Sequence, residues 1–168
     1  SAIFVPETIV ETAELEQLFD KGAGSFVKTT GINRRHLSKD GDIVDFALNA
    51  ARPVVESSDS IDYLIYVNDF PGRVPSDQEI ARLKNGLGLR SDLECKIVDE
   101  ACSGSIFGLD IADKLPVKYK RVLLVASTIL TPYSMWYDKI APLFGEIAVA
   151  VILERDEKYG FKHITPFT

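Results

Sequence analysis

Three short runs dominate the chain: Asp62 to Val67 (DYLIYV), Arg121 to Ser127 (RVLLVAS) and Ile147 to Leu153 (IAVAVIL). Each is rich in β-branched, aliphatic or aromatic residues and far shorter than the ~20 apolar residues a membrane helix needs. Near-continuous apolar character over six or seven residues is the pattern of a strand covered on both faces, which constrains the fold to a sheet between helices. A fourth run, Leu93 to Val98, has the same character. Phe161 to Ile164 reads as a last edge strand.

The segments between these runs carry helical signals. Leu15, Leu18 and Phe19 recur at helical spacing, and Gly22 and Gly24 close that segment. Asp42 is placed to cap a helix running through Phe46, Ala47, Ala50 and Ala51, with Pro53 ending it. Ser76 and Glu79, three residues apart, form a capping-box pattern ahead of Ile80, Leu83 and Leu87. Ile106, Leu109, Ile111 and Ala112 mark a further helix. Strands separated by helices predict an α/β chain with a mostly parallel sheet and helices on both faces.

Several function classes are excluded at this level. The net charge of −6 and the lack of a basic stripe remove the nucleic-acid footprint. No run is long enough for a membrane span, and the two cysteines, Cys95 and Cys102, form neither a disulfide framework nor a metal-ligand cluster. A reducing cytoplasm is the expected compartment. A nucleotide-binding domain is a poor reading, because neither GxGxxG nor a Walker A lysine motif is present and Gly22-x-Gly24 lacks the third glycine.

The junction after the Leu93–Val98 strand carries the chemistry. Glu100-Ala101-Cys102-Ser103-Gly104 leads from strand to helix and places a cysteine in the first helical turn. There, partial positive charge from backbone N–H groups favours a thiolate. A strand-to-helix turn also presents its side chains at the carboxyl edge of a sheet, where α/β proteins bind ligands. On placement alone the inert reading is the commoner one, since free cysteine is among the most buried residue types. Glu100 is an unfavourable neighbour for a thiolate.

Four segments in order change that balance. Phe4-Val5-Pro6-Glu7 is followed by Val10 and a leucine-bearing helix. Thr30-Gly31-Ile32 is followed three residues later by Arg35. Then come Ala101-Cys102-Ser103-Gly104 and Phe144-Gly145-Glu146 with its alternating alanines. This series resembles the N-terminal half of β-ketoacyl-acyl-carrier-protein synthase III enzymes: their opening "lPe" segment, "TGI..R" turn, Ala-Cys-[Ser/Ala]-Gly nucleophile segment and "FGDGAGA" segment.

The resemblance implies a thiolase-like half over residues 1–168, with a five-stranded mixed sheet, helices on both faces and the C-terminal half absent. It implies a cysteine nucleophile, Cys102, with Ser103, Gly104 and Gly145 as substrate-binding positions. It further implies an acyl thioester of coenzyme A or acyl carrier protein as substrate, with no bound cofactor and no metal. Fatty-acid or polyketide-type biosynthesis is the implied setting, and a dimer or pairing with a C-terminal half is the implied assembly. The bulky residue that a partner subunit places at the end of the acyl pocket corresponds to Val74, ahead of Pro75-Ser76.

The chain also departs from that pattern. The histidine and asparagine that assist condensation come from the family's second half. Of the two histidines here, His36 reads as a basic surface residue and His163 as an edge-strand residue. Ser25 and Thr29 stand where coenzyme A users carry a tryptophan and an arginine that clamp adenine. The single tryptophan, Trp136, reads as part of a loop or helix cover. Ile147 and Val149 replace two glycines of "FGDGAGA", and their β-branching favours a plain strand. Two functions stay open on this reading. One is a condensing or acyl-transfer enzyme completed by another segment. The other is a non-catalytic thiolase-like module that pairs with a partner synthase or with itself.

Overall fold

The computed structural model describes residues 1–55, 61–69, 73–129 and 141–155. The strand expected at 161–164, His163 and Trp136 lie outside these residues. Among the described residues the element order is β1 (Ala2–Phe4), β2 (Thr8–Glu11), α1 (Thr12–Leu18), α2 (Ser25–Thr30), β3 (Arg34–Leu37), α3 (Ile43–Ala51), β4 (Tyr63–Asn68), α4 (Asp77–Gly86), β5 (Cys95–Asp99), α5 (Gly104–Lys114), β6 (Arg121–Thr128) and β7 (Ile147–Glu154).

Five strands form one sheet in the order β1-β7-β6-β4-β5. β4 pairs parallel with both β5 and β6, whereas β7 pairs antiparallel with β6 and with β1. The sheet is therefore mixed, not mostly parallel as helix–strand alternation alone predicts. The antiparallel pairing of β6 with β7 needs no crossover connection, unlike a parallel pair. β5, which carries Ile97, lies at an edge of the sheet. The fifth strand is the three-residue β1, at the opposite edge. β2 and β3 form a separate two-stranded antiparallel sheet.

Period-two alternation sorts the strand residues into two layers. Leu64 and Tyr66 of β4, Leu123 and Val125 of β6, and Ala148 and Ala150 of β7 join Ile43, Phe46, Ala47, Ala50 and Leu83 of α3 and α4 in one core. Ile65, Val67, Val122 and Leu124 point the other way, toward Ala112 of α5 and Tyr119. Helices thus cover both faces. Phe4 meets Phe46 edge-on at 5.0 Å between ring centroids, tying β1 to α3. The caps read from the sequence are built: Asp42 accepts from the Val44 and Asp45 N–H groups at 2.8 and 3.0 Å. Ser76 accepts from Glu79 N–H at 3.3 Å, and the Glu79 carboxylate accepts from Ser76 N–H at 2.8 Å.

One polar line crosses the apolar core. Ser127 Oγ donates to the Ile43 carbonyl at 3.1 Å and sits 2.8 Å from the Tyr66 hydroxyl, which therefore donates to it. Burial pushes the Tyr66 phenol well above its ordinary pKa. The line fastens the N-terminus of α3 to β4 and β6, whose carboxyl ends carry the site.

Candidate active site

The three parallel strands end on one edge of the sheet, where Ser127, Asn68 and Asp99 stand side by side in register. Asn68 Nδ2 donates to Asp99 Oδ1 at 2.6 Å, closing the ends of β4 and β5 together. From Asp99 the chain passes through Glu100 into a 3₁₀ turn, Ala101–Ser103, which runs directly into α5. Ser103 N–H and Ser103 Oγ both donate to the Glu100 carbonyl, at 3.2 and 2.8 Å. Ala101 has φ +45°, a left-handed conformation that alanine adopts only under constraint. This turn delivers Cys102 to the surface, exposed at the head of α5.

The turn lies close to the sheet because α5 presents a face of small residues to it. Gly104, Gly108 and Ala112 recur at four-residue spacing and are buried. A Cβ added at Gly104 would come within 2.7 Å of Val67 Cγ1, and one at Gly108 within 2.9 Å of Leu124 Cδ1. Away from the sheet, the first turn of α5 carries Ile106, 72% exposed, and Phe107, 47%, and the later turns carry the Asp110–Lys114 ion pair.

Between α5 and the β6–β7 strands lies an open cavity of about 470 Å³. Cys102, Ser105 and Leu109 line it from the turn and α5; Leu124, Ala126 and Thr128 line it from β6. Ile147, Val149 and Val151 supply the β7 wall, and Asp69, just beyond β4, also lines the cavity. Thr128 Oγ1 donates to Asp69 Oδ2 at 2.6 Å, fixing that carboxylate. Among the described residues, no group of three or more His, Cys, Asp or Glu side chains could hold a metal ion.

The positions singled out in the sequence fall in different places. Cys102, Ser103 and Gly104 are contiguous at the head of α5. Gly145 lies apart, packed against Arg35 and His36 of β3, where Glu146 N–H donates to the His36 carbonyl at 2.9 Å. Val74 is exposed, with its carbonyl accepting from Arg73, and does not line the Cys102 cavity. His36 is not a free surface residue: its Nδ1 donates to the Pro6 carbonyl at 2.6 Å. Ser25 and Thr29 are taken up within α2, Thr29 Oγ1 donating to the Ser25 carbonyl at 3.0 Å. Ile147 and Val149 form a plain strand, as their β-branching predicts. Cys95 is half-buried on β5, and burial pushes its thiol up to about 11.

Sequence reasoning missed one group, Asp69, and the structural role of another, Arg35. Asp69 reaches the cysteine's cavity only through the pairing of β4 with β6, and the turn-like Asn68-Asp69 pair after the strand was its one visible signal. Arg35 is buried at 4% exposure and donates through Nη2 to Thr12 Oγ1 and the Pro142 carbonyl, at 3.0 and 2.8 Å. It joins α1, β3 and the segment leading to β7.

Comparison with known proteins places this geometry. The family model for 3-oxoacyl-[acyl-carrier-protein] synthase III matches residues 98–166. A β-ketoacyl-[acyl-carrier-protein] synthase III from Alkalilimnicola ehrlichii is 32% identical over 166 residues, covering 94% of this chain and 51% of the relative. One from Lactococcus lactis subsp. cremoris is 29% identical over 162 residues, covering 92% of this chain and 49% of the relative. Among solved structures, the synthase III from Aquifex aeolicus VF5 superposes with a TM-score of 0.78 at 28% identity, over 93% of this chain and 52% of that one. The Thermus thermophilus enzyme superposes with a TM-score of 0.80 at 25% identity, over 95% and 52%. The chain spans about half the length of the curated relatives it matches. In sequence and in fold, the chain is similar to the N-terminal half of β-ketoacyl-acyl-carrier-protein synthase III proteins.

Proposed function

We propose that Cys102 is the acyl-accepting nucleophile of a synthase III-type acyltransferase, of which residues 1–168 form one thiolase-like domain. The carrying observation is an exposed cysteine on a strained turn at the head of α5, facing an aliphatic cavity. Cys102 Sγ bonds to the carbonyl carbon of an acyl thioester of coenzyme A or acyl carrier protein. The bond from that carbon to the carrier's sulfur breaks, and the carrier leaves as a thiol with a proton from solvent. The cavity walls then hold the aliphatic part of the acyl group.

Val74 and Gly145 belong to this reading only through an assembled enzyme, Val74 reaching a partner's acyl pocket and Gly145 bracing the segment before β7. Condensation with a second thioester requires groups from a C-terminal half. The setting is fatty-acid or polyketide-type biosynthesis in the cytoplasm. Incubation with a short acyl thioester adds the mass of one acyl group to the intact chain, and Cys102→Ala abolishes the adduct. An adduct that survives in Cys102→Ala, or none on the wild-type chain, overturns the proposal.

A second reading is favoured by the uncovered side of α5, where Ile106 and Phe107 are exposed. An apolar surface of that kind fits a module that docks on a partner synthase or on another copy of itself. Such a module has no need of a reactive cysteine and forms no adduct.

A further inference from the structure

The carboxylate of Glu16, a buried residue of α1, accepts from the Gly24 N–H at 2.6 Å and from the Phe26 N–H at 2.7 Å. It thereby caps α2 from the neighbouring helix. α2 has six residues, too few to persist as a helix without such support. None of them is buried, and Phe26 meets Phe19 edge-on at 5.9 Å between ring centroids. Among the described residues, the other hydrogen bonds of residues 22–31 stay within the segment or at its C-terminal end, where the Ile32 N–H donates to Thr30 Oγ1 at 3.0 Å.

The chain on either side is anchored to α1. The Lys21 N–H donates to the Glu16 carbonyl at 2.7 Å. Thr12 donates through Oγ1 to the Ile32 carbonyl at 2.6 Å and through its N–H to the Asn33 carbonyl at 2.8 Å. Between these anchors, Gly24 and Gly31 bracket α2 with φ of +75° and +73°. A Cβ added at either would meet nothing within 4 Å, so the backbone has room to rotate at both ends of the helix.

From this arrangement we propose that residues 22–31 form a flap, hinged at Gly24 and Gly31 and latched by the Glu16 carboxylate, that opens as a unit while the sheet stays folded. A few element-terminal residues that absorb the backbone rotation are what such a motion requires. The inference is independent of the role given to Cys102. α2 packs against Ala141–Leu143, the segment that leads into β7 and its cavity-lining Ile147. Opening the flap therefore uncovers the approach to β7.

Native-state hydrogen exchange on the whole chain, read by mass spectrometry in steps of low urea, tests this. After correction for intrinsic rates, wild-type amides of residues 22–31 are expected to exchange roughly tenfold or more faster than those of β4 and β6, through an opening that low urea does not change. The same protection and urea dependence as β4 and β6, or no protection at all, overturns the flap. Glu16→Gln keeps the shape of the side chain but removes the charge that strengthens both bonds, and is expected to lower protection of residues 22–31 on the order of tenfold with β4 and β6 unmoved. Unchanged protection, an equal loss throughout the chain, or a variant that fails to fold overturns Glu16 as the latch. The wild-type measurement then still decides whether the flap opens.

Discussion

Two cysteines seven residues apart in sequence occupy opposite chemical situations. Cys95 is half-buried on a strand, and burial holds its thiol at about 11, so at pH 8 only about 0.1% is thiolate. Cys102 is exposed on the turn at the head of α5. Iodoacetamide at pH 8 is therefore expected to label Cys102 at least tenfold faster than Cys95, as read by peptide mapping. Equal rates count against the nucleophile assignment. Glu79 offers a second residue-scale test. The Arg73 guanidinium, with the Ser76 N–H and hydroxyl, outweighs desolvation and holds its carboxyl down to about 2. A carboxyl depressed in the folded state stabilises the fold above its unfolded value of about 4.3 and loses that contribution as pH falls toward 2. Glu79→Gln is expected to flatten the decline in thermal stability over that window and leave the profile above pH 6 nearly parallel to wild type.

At the scale of elements, the caps and the apolar strands were legible because their signals are local. Asp42, Ser76 and Glu79 act on N–H groups two or three residues away, and Leu64 or Leu124 needs only a buried environment. Ser76→Ala is expected to cost about 1 kcal/mol in urea unfolding, the usual value of an N-cap. β1, β2 and β3 were not legible: with three or four residues each and many exposed positions, they show too little periodicity to read. Their existence depends on partners far along the chain, as when Ile3 pairs with Val149. The site divides the same way, since Cys102 could be read from its local motif whereas Asp69 joins it only through strand pairing. The glycine face of α5 is a further element-scale constraint. Gly108→Val places two methyl groups where Leu124 and Val67 already leave no room, and is expected to destabilise by about 1–3 kcal/mol.

For the molecule as a whole, the decisive property is a sheet layer with one side of its helix uncovered. Ile106 and Phe107 on α5 face solvent, next to an open cavity walled by β7. Closed pairing is the commonest way for like chains to hide such a surface. Light scattering at micromolar concentration is expected to report a dimer or larger species, and Ile106→Glu combined with Phe107→Glu is expected to release a monomer. A wild-type chain that stays monomeric at those concentrations defeats this expectation. Apolar side chains left exposed on a helix also have a consequence in time. A ribosome adds roughly 5–20 residues per second, so each further hundred residues of cover arrives about 5–20 s after α5 has emerged. During that interval Ile106 and Phe107 have nothing to pack on. Any longer polypeptide that carries this helix passes through a stage, lasting seconds, in which it is a substrate for chaperones before it can be an enzyme.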